Sequence, residues 1–174
     1  MSVELAPIIE LRNGAKLPFL GLGTWPMDNA ETADAVEAAL KIGYRMIDTA
    51  ENYGNEQGVG EGLRRSGLDR GDVFLTSKFN KEWHSYDGVE QAFEASARRL
   101  GVEYSDLVLI HWPNPRKDRY VEAWRGLLRL LERINFAVRF DAYAQAQTAR
   151  TEGGPAVDIQ TPYGIKLLTG GALA

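Results

Sequence analysis

The strongest constraint on the fold is a regular alternation of short apolar segments with longer amphipathic segments. Four apolar segments of strand length begin 25 to 33 residues apart, at positions 19, 44, 73 and 106. Each is followed by apolar residues at helical spacing, over about residues 30–42, 56–65, 86–100 and 120–133. Strands that alternate with helices in this way predict βα units and a parallel sheet. Ahead of them, residues 8–18 predict a hairpin whose turn is Asn13-Gly14.

The chain is too short for a complete barrel of such units. Eight βα units need about 250 residues, whereas this sequence has 174 residues, of which 41 follow Arg133. A complete eight-stranded barrel therefore does not fit in this chain, and the repeated units by themselves predict an α/β fold with a parallel sheet and an N-terminal β-hairpin.

The last 41 residues differ in character from the rest. They hold six of the 44 charged side chains of the sequence. We therefore expect a domain of βα units over residues 1–133 and an atypical or truncated C-terminal segment over residues 134–174. Within that segment, residues 142–149 favour a helix, and residues 157–160 and 165–168 favour strands on either side of a turn.

Composition argues against several functional classes. The formal net charge of −4 arises from 20 basic and 24 acidic side chains of mixed distribution, so neither nucleic acid nor an anionic membrane is favoured as a partner. No cysteine is present and only two histidines are, which argues against disulfides and metal sites. No apolar run reaches the ~18 residues of a membrane span. The amino end lacks the pattern of a signal peptide, so a cytoplasmic protein is expected.

Four ionisable side chains, Asp48, Tyr53, Lys78 and His111, follow or close three successive strand-like segments. Parallel α/β proteins place their chemistry at the carboxyl ends of strands. Taken singly, each residue has a plainer interpretation: a lone tyrosine or aspartate in a loop usually has no catalytic role, and a lysine at a strand end is usually solvated. Their joint placement after three strands favours a shared site.

These side chains have the chemistry needed to reduce a carbonyl. A carbonyl that accepts hydride becomes an alkoxide, so the site must supply a proton and stabilise negative charge. A tyrosine can supply that proton only if its pKa falls from ~10 toward neutrality, which a nearby ammonium favours. Lys78 is the candidate neighbour of Tyr53, with Asp48 to hold Lys78 and His111 to align the substrate oxygen. Side chains carry no hydride, so a nicotinamide cofactor is required.

Several spaced motifs resemble the aldo-keto reductase family. Residues 43–50 read Gly-Tyr-Arg-Met-Ile-Asp-Thr-Ala, followed at the right spacing by Glu56 and Val59-Gly60; this is similar to the family's first signature, in which Met46 is unusual. The segments 20–25, 76–78 and 109–113 are similar to the family's first, third and fourth strand ends. The resemblance covers about residues 8–133.

The resemblance implies an α/β fold with a partial (β/α)8 TIM barrel, containing about four to six parallel βα units and an N-terminal β-hairpin, in which residues 1–133 form a half barrel. It also implies NADPH-dependent reduction of aldehydes or ketones. The four ionisable residues fall on the family's catalytic tetrad, with Tyr53 as the proton donor. Three tryptophans fall where the family lines its substrate pocket, although core packing is the plainer interpretation of any one of them: Trp25, Trp83 and Trp112.

The resemblance also implies a cofactor site, but an incomplete one. The candidate contacts are Thr24, Asp48, Asn135 and Gln160, of which Asn135 corresponds to a remnant of the family's serine-asparagine-phenylalanine turn. The family holds its cofactor mainly with groups after the fifth to eighth strands, and this chain has no clear counterpart of them. Weak or absent NADPH binding is therefore expected, and no metal is implied.

Three hypotheses about function stay open at this point. The chain is an NADPH-dependent reductase of small carbonyl compounds, a noncatalytic half barrel that keeps the tetrad but lacks the cofactor site, or a chimeric or frame-shifted product with a foreign tail. A half barrel also predicts self-association. Its edge strands near Leu20 and Leu109 need partners, and Ile47, Leu75 and Leu107 are expected on an uncovered apolar face.

Two further features receive structural interpretations. The run Gly58-Val59-Gly60-Glu61-Gly62 looks like a dinucleotide-binding loop, but it lies within a predicted helix and lacks the required spacing, so we assign it to helix packing. His84 lies in a predicted loop and is expected at the surface.

Overall fold

The computed structural model describes residues 5–11 and 15–133, together with three two-residue strands further along the chain. The N-terminal hairpin consists of β1 (Ile8–Glu10) and β2 (Lys16–Pro18), which pair antiparallel with Ile9 opposite Leu17. The predicted turn at Asn13-Gly14 lies outside the described residues.

The main element is a parallel sheet whose spatial strand order follows the chain order. It contains β3 (Leu22–Gly23), β4 (Met46–Asp48), β5 (Phe74–Phe79), β6 (Leu107–Ile110) and β7 (Asp141–Ala142). Every neighbouring pair in it is parallel. This order is that of a barrel wall, and β3 and β7 are the outer strands of the sheet. The predicted α/β fold with an open, partial barrel is confirmed.

Two short strands follow the sheet in the chain. They are β8 (Ile159–Gln160) and β9 (Lys166–Leu167), which pair antiparallel within the two segments predicted as strands. Of the predicted helix over 142–149, Ala142 belongs to β7 and the other residues lie outside the described part.

Each of the first four strands of the sheet is followed by an α-helix, as the periodicity predicts. The helices are α1 (Asn29–Lys41), α2 (Glu56–Ser66), α3 (Gly88–Leu100) and α4 (Tyr120–Arg133). The start of α1 is fixed by a capping box, in which the Asp28 side chain accepts from the backbone N–H of Glu31 and the Glu31 side chain accepts from that of Asp28. The helices α2 and α3 end at Gly67 and Gly101, whose backbones adopt the left-handed (αL) conformation. No helix in the described part is long and apolar enough to cross a membrane.

The strand β3 is shorter than the predicted segment 19–23. The backbone N–H of Phe19 donates to the carbonyl of Pro7, 2.8 Å away, which extends the pairing of the N-terminal hairpin. Phe19 is therefore part of the hairpin rather than of the parallel sheet, and its side chain is exposed.

The sheet buries one face against the helices. Ile47 and Leu75 are fully buried in a cluster with Val36 and Leu40 of α1 and Val59 of α2. The prediction that Ile47 and Leu75 lie on the uncovered barrel face is therefore wrong. Side chains alternate across a strand, and these two residues are one position out of phase with those that face the barrel interior.

The opposite face corresponds to the barrel interior. It carries Phe74, Leu107 and Leu109, which are buried or half-buried. The predicted edge at β6 is also partly covered, since β7 pairs with Leu107 and Val108. The polar residues at the carboxyl end of this face form the candidate site.

The glycines of α2 allow close helix packing, as predicted. A Cβ at Gly58 would lie 2.9 Å from the Cα of Asn29, and one at Gly60 would lie 2.8 Å from the carbonyl carbon of Leu100. Both distances are too short for a side chain, so these glycines bring α2 against α1 and α3. The run has a packing role rather than that of a phosphate loop.

Candidate active site

The carboxyl ends of three adjacent strands position the candidate residues. Asp48 is the last residue of β4, Lys78 is the penultimate residue of β5, and His111 follows β6 directly. The backbone N–H of His111 donates to the carbonyl of Phe79 at 3.1 Å, which continues the ladder beyond the strand. Tyr53 ends a 3₁₀ helix, Glu51–Tyr53, that begins three residues after Asp48.

Lys78 is the centre of the site. Its ammonium donates to the Asp48 carboxylate, to the carbonyl oxygen of Thr49 at 2.9 Å and to the Tyr53 hydroxyl oxygen at 3.4 Å. The Lys78 side chain is 12% exposed, so it is held in this position rather than solvated. The Tyr53 oxygen accepts from Lys78, which leaves the phenolic hydrogen free to be donated elsewhere.

Aromatic side chains cluster beside the Tyr53 ring. The ring centroids of Tyr53 and His111 are 5.6 Å apart in an edge-to-face arrangement, and those of Trp25 and Tyr53 are 5.3 Å apart. Trp112 stacks on His111 at 5.7 Å. Trp25 and Trp112 are 64% and 56% exposed, so two large apolar rings are open to solvent beside the polar groups.

His111 is held in its neutral form by its surroundings. Burial lowers the pKa of His111, and the positive charge of Lys78 lowers it further, against a smaller opposing effect of Asp48. The imidazole is therefore neutral at pH 7 and can form one hydrogen bond as a donor. Its Nδ1 is buried without a hydrogen-bond partner among the described residues.

A buried polar cluster supports the loops around the site. Thr24, Thr49 and Asn55 are fully buried, and both threonine hydroxyls bond to the Asn55 amide oxygen. The Asn55 amide nitrogen donates to the carbonyls of Thr24 and Met27 at 2.8 and 2.9 Å. Thr24 thus uses its hydroxyl in this cluster, and its assignment as a cofactor contact stays a prediction.

Glu56 forms a second buried cluster behind Lys78. It is 1% exposed and accepts from Ser77 at 2.7 Å, from Ser96, and from the Arg99 Nε at 2.6 Å. These contacts join α2 to β5 and α3, so they fix the strand that carries Lys78. Sequence analysis identified Glu56 only as part of a motif.

Glu51 is a polar residue that sequence analysis missed. Its carboxylate accepts from the Trp83 indole N–H at 2.8 Å and from the backbone N–H of Asn80 at 3.2 Å. The only signal for it in the sequence was an acid between Asp48 and Tyr53. Trp83 is partly buried against the core, and its role in lining a substrate pocket stays a prediction.

His84, which lies in the loop that follows β5, is buried rather than exposed. The surface placement of His84 is wrong: it is 3% exposed and packs edge-on against the Phe79 ring, 5.9 Å between centroids. The short 3₁₀ helix Lys81–Trp83 turns it inward.

Two of the predicted cofactor contacts lie in the C-terminal segment. Asn135 lies outside the described residues, and Gln160 is described only as part of β8, so their cofactor contacts stay predictions. No group of three or more metal-ligating side chains occurs among the described residues.

Comparisons with known proteins identify relatives along most of the chain. The profile of the aldo/keto reductase family matches residues 19–163, thirty residues beyond Arg133. An aldo-keto reductase of Mycobacterium sp. strain JLS is 47% identical over 127 residues, which is 73% of this chain and 46% of that protein. A methylglyoxal reductase of Yersinia pestis and a glyoxal reductase of Bacillus subtilis are each 45% identical over 131 residues, 75% of this chain and 46% and 47% of theirs.

Solved structures show the same fold. An aldo/keto reductase from Brucella melitensis superposes with a TM-score of 0.72 at 43% identity, covering 79% of this chain and 53% of that one. A Bombyx mori aldo-keto reductase in complex with NADP superposes with a TM-score of 0.70 at 32% identity, covering 80% and 50%. The chain thus spans about half the length of its relatives. Because the family profile covers most of its residues and the strand ends carry the expected groups, this chain belongs to the aldo/keto reductase family.

Proposed function

We propose that this chain carries the proton-donating half of an NADPH-dependent reductase of small aldehydes or ketones. The observation that carries the proposal is the Lys78 ammonium held between Asp48, the Thr49 carbonyl and the Tyr53 hydroxyl. Relatives named as glyoxal and methylglyoxal reductases support carbonyl reduction as the chemistry.

From these contacts we propose a role for each side chain. Tyr53 donates its phenolic proton to the substrate oxygen as that oxygen gains negative charge. Lys78, 3.4 Å from the Tyr53 oxygen, stabilises the phenolate that remains, and Asp48 keeps Lys78 in place. The neutral imidazole of His111 aligns the carbonyl by a hydrogen bond. Trp25 and Trp112 are the proposed apolar walls on either side, and Trp83 is the third proposed substrate contact.

The reacting end of the site fits a nicotinamide cofactor. Gly23 lies beside Asp48 in the sheet, and among the described residues other than its two chain neighbours no atom lies within 4 Å of the place where its Cβ would be. The strand ends therefore leave open space next to the polar groups. When bound, the reduced nicotinamide supplies the hydride that no side chain can supply. Thr24, Asp48, Asn135 and Gln160 are the proposed contacts, and the NADP complex of the Bombyx mori relative supports this choice of cofactor.

Turnover of a small dicarbonyl such as methylglyoxal with NADPH tests the proposal. Tyr53→Phe should lower kcat by about 100-fold or more, because the proton donor is deleted, while NADPH binding, followed by tryptophan fluorescence, is retained. Tyr86→Phe is the matched control, since Tyr86 is an exposed tyrosine whose ring contacts Arg129 rather than a residue of the site. Turnover of Tyr53→Phe equal to that of the parent would exclude Tyr53 as the donor.

A noncatalytic half barrel is the second candidate function. This alternative is favoured because the chain covers only about half of its relatives' length. The family holds its cofactor mainly with groups that follow the later strands of the barrel. On this alternative, NADPH leaves the tryptophan fluorescence unchanged even at millimolar concentration. The family match as far as residue 163 weighs against a foreign tail that begins at residue 134.

We also propose that the chain self-associates. The exposed Phe19 and Leu20 lie beside the outer strand β3, and an outer strand leaves backbone groups available for pairing. Sedimentation should show a species larger than a monomer at tens of micromolar; a compact monomer that melts cooperatively would contradict this. The cytoplasmic location stays a prediction.

A further inference from the structure

Glu51 connects the segment that carries Tyr53 to the segment that follows Lys78. It begins the 3₁₀ helix that Tyr53 ends. One of its carboxylate oxygens accepts from the indole N–H of Trp83 at 2.8 Å, and the other accepts from the backbone N–H of Asn80 at 3.2 Å. Asn80 is two residues beyond Lys78, so a single carboxylate joins the segment that contains Tyr53 to the segment that contains Lys78.

This connection adds to the one that Lys78 itself makes. Lys78 bonds to Asp48 and to the Thr49 carbonyl, both of which precede the 3₁₀ helix. The bond from Lys78 to Tyr53, at 3.4 Å, is the longest of the three that Lys78 makes. It is close to the limit of a hydrogen bond, so a small displacement of the 3₁₀ helix would break it first.

The surroundings of Glu51 favour a carboxylate over other acceptors. The two donors bond to different oxygens of Glu51, and an amide would present an NH2 group to one of them. The Arg99 guanidinium lies 3.9 Å from the Glu51 carboxylate and also bonds to Glu56. Glu51 is only 20% exposed, so water competes weakly for these bonds.

We propose that Glu51 is a positioning residue, which holds the Tyr53 hydroxyl within reach of Lys78 by bonding to Asn80 and Trp83. The inference rests on the proposed role of Tyr53 as proton donor, although the structural coupling itself does not require turnover. Without the carboxylate, the 3₁₀ helix keeps its backbone but loses its attachment to the segment after β5.

The kinetic test compares Glu51→Ala and Glu51→Gln with Glu82→Ala. Glu82 is an exposed acid in the same 3₁₀ helix as Trp83, so it controls for loss of charge nearby. Glu51→Ala should lower kcat about 10- to 100-fold, because misplacement of a reacting group by about 1 Å lowers the rate by about that factor. The KM for the carbonyl substrate should change by less than about twofold. Glu51→Gln, which keeps one acceptor oxygen, should fall between Glu51→Ala and the parent. A folded Glu51→Ala chain with the kcat of the parent overturns the inference, as does a rise in KM alone.

A spectroscopic test needs no activity and so separates this inference from the proposed function. The test uses NMR on isotope-labelled protein and follows two signals. The first is that of the Tyr53 ring carbon that bears the hydroxyl, which is assigned with Tyr53→Phe. The second is that of the Trp83 indole N–H, which is assigned with Trp83→Phe. Both signals should shift in Glu51→Ala and stay unchanged in Glu82→Ala. A Trp83 shift without a Tyr53 shift overturns the coupling, even if the parent shows no turnover. If Glu51→Ala fails to fold, the same readings are taken on Glu51→Gln.

Discussion

Replacing Glu56 by alanine should lower the free energy of unfolding by about 3 kcal/mol. Glu56 is 1% exposed and accepts from Ser77, Ser96 and Arg99, which places one carboxylate between α2, β5 and α3. Removal of one partner from a buried ion pair costs about 3–5 kcal/mol, because the other partner is left without compensation.

Two features of the structure place the expected loss at the lower end of that range. The Arg99 side chain is 34% exposed and lies 3.9 Å from Glu51, so water and a second acid can compensate it in part. The hydroxyls of Ser77 and Ser96 are 3.4 Å apart and can bond to each other. Glu56→Gln keeps the shape and one acceptor, so its cost should be about 1–2 kcal/mol.

Urea unfolding, followed by tryptophan fluorescence and far-ultraviolet circular dichroism, measures both losses. Glu94→Ala is the matched control, because Glu94 is an exposed acid of α3 that lies 3.8 Å from Arg98; its effect should stay within about 0.5 kcal/mol. An unchanged m-value would assign the difference to the native state. A Glu56→Ala loss below about 1 kcal/mol would refute the argument that this carboxylate joins the three elements.

Two further predictions concern packing and pH. Gly60→Ala should destabilise the chain by about 1–3 kcal/mol, because its Cβ would meet the backbone of Leu100. Gly71→Ala, whose Cβ would meet nothing closer than 3.9 Å, should change stability by less than about 0.5 kcal/mol in the same urea assay; equal effects would contradict the packing role. Burial lowers the pKa of His84 below its usual 6.5, so the unfolded chain binds a proton more readily. Stability should therefore rise with pH from that lowered pKa up to about 6.5, and His84→Gln should flatten the rise in urea unfolding measured across this window; an unchanged slope would exclude His84 as its source.

The local sequence determined the elements and their order. The helices α2, α3 and α4 begin and end within about two residues of the predicted bounds, because helical periodicity and glycine stops are properties of neighbouring residues. Asp48, Lys78 and His111 were predicted to lie together for a similar reason, since parallel strands in chain order bring their carboxyl ends to one edge.

The assignment of faces was decided only by tertiary structure. A short strand carries apolar residues on both sides when both sides are covered, so the sequence did not show that Ile47 and Leu75 face the helices rather than the barrel interior. The burial of His84 depends in the same way on the 3₁₀ helix that precedes it and on the distant Phe79 ring.

The acids that support the site also depended on the fold. The sequence did not show which groups Glu51 and Glu56 bond to, because their partners lie far along the chain: Trp83 is 32 residues from Glu51, and Arg99 is 43 residues from Glu56. The sequence by itself determined which ionisable groups lie at the strand ends, since residue type and strand position are local. Only the tertiary structure decided which side chains hold those groups at bonding distance, because hydrogen bonds between distant segments depend on how the helices pack on the sheet.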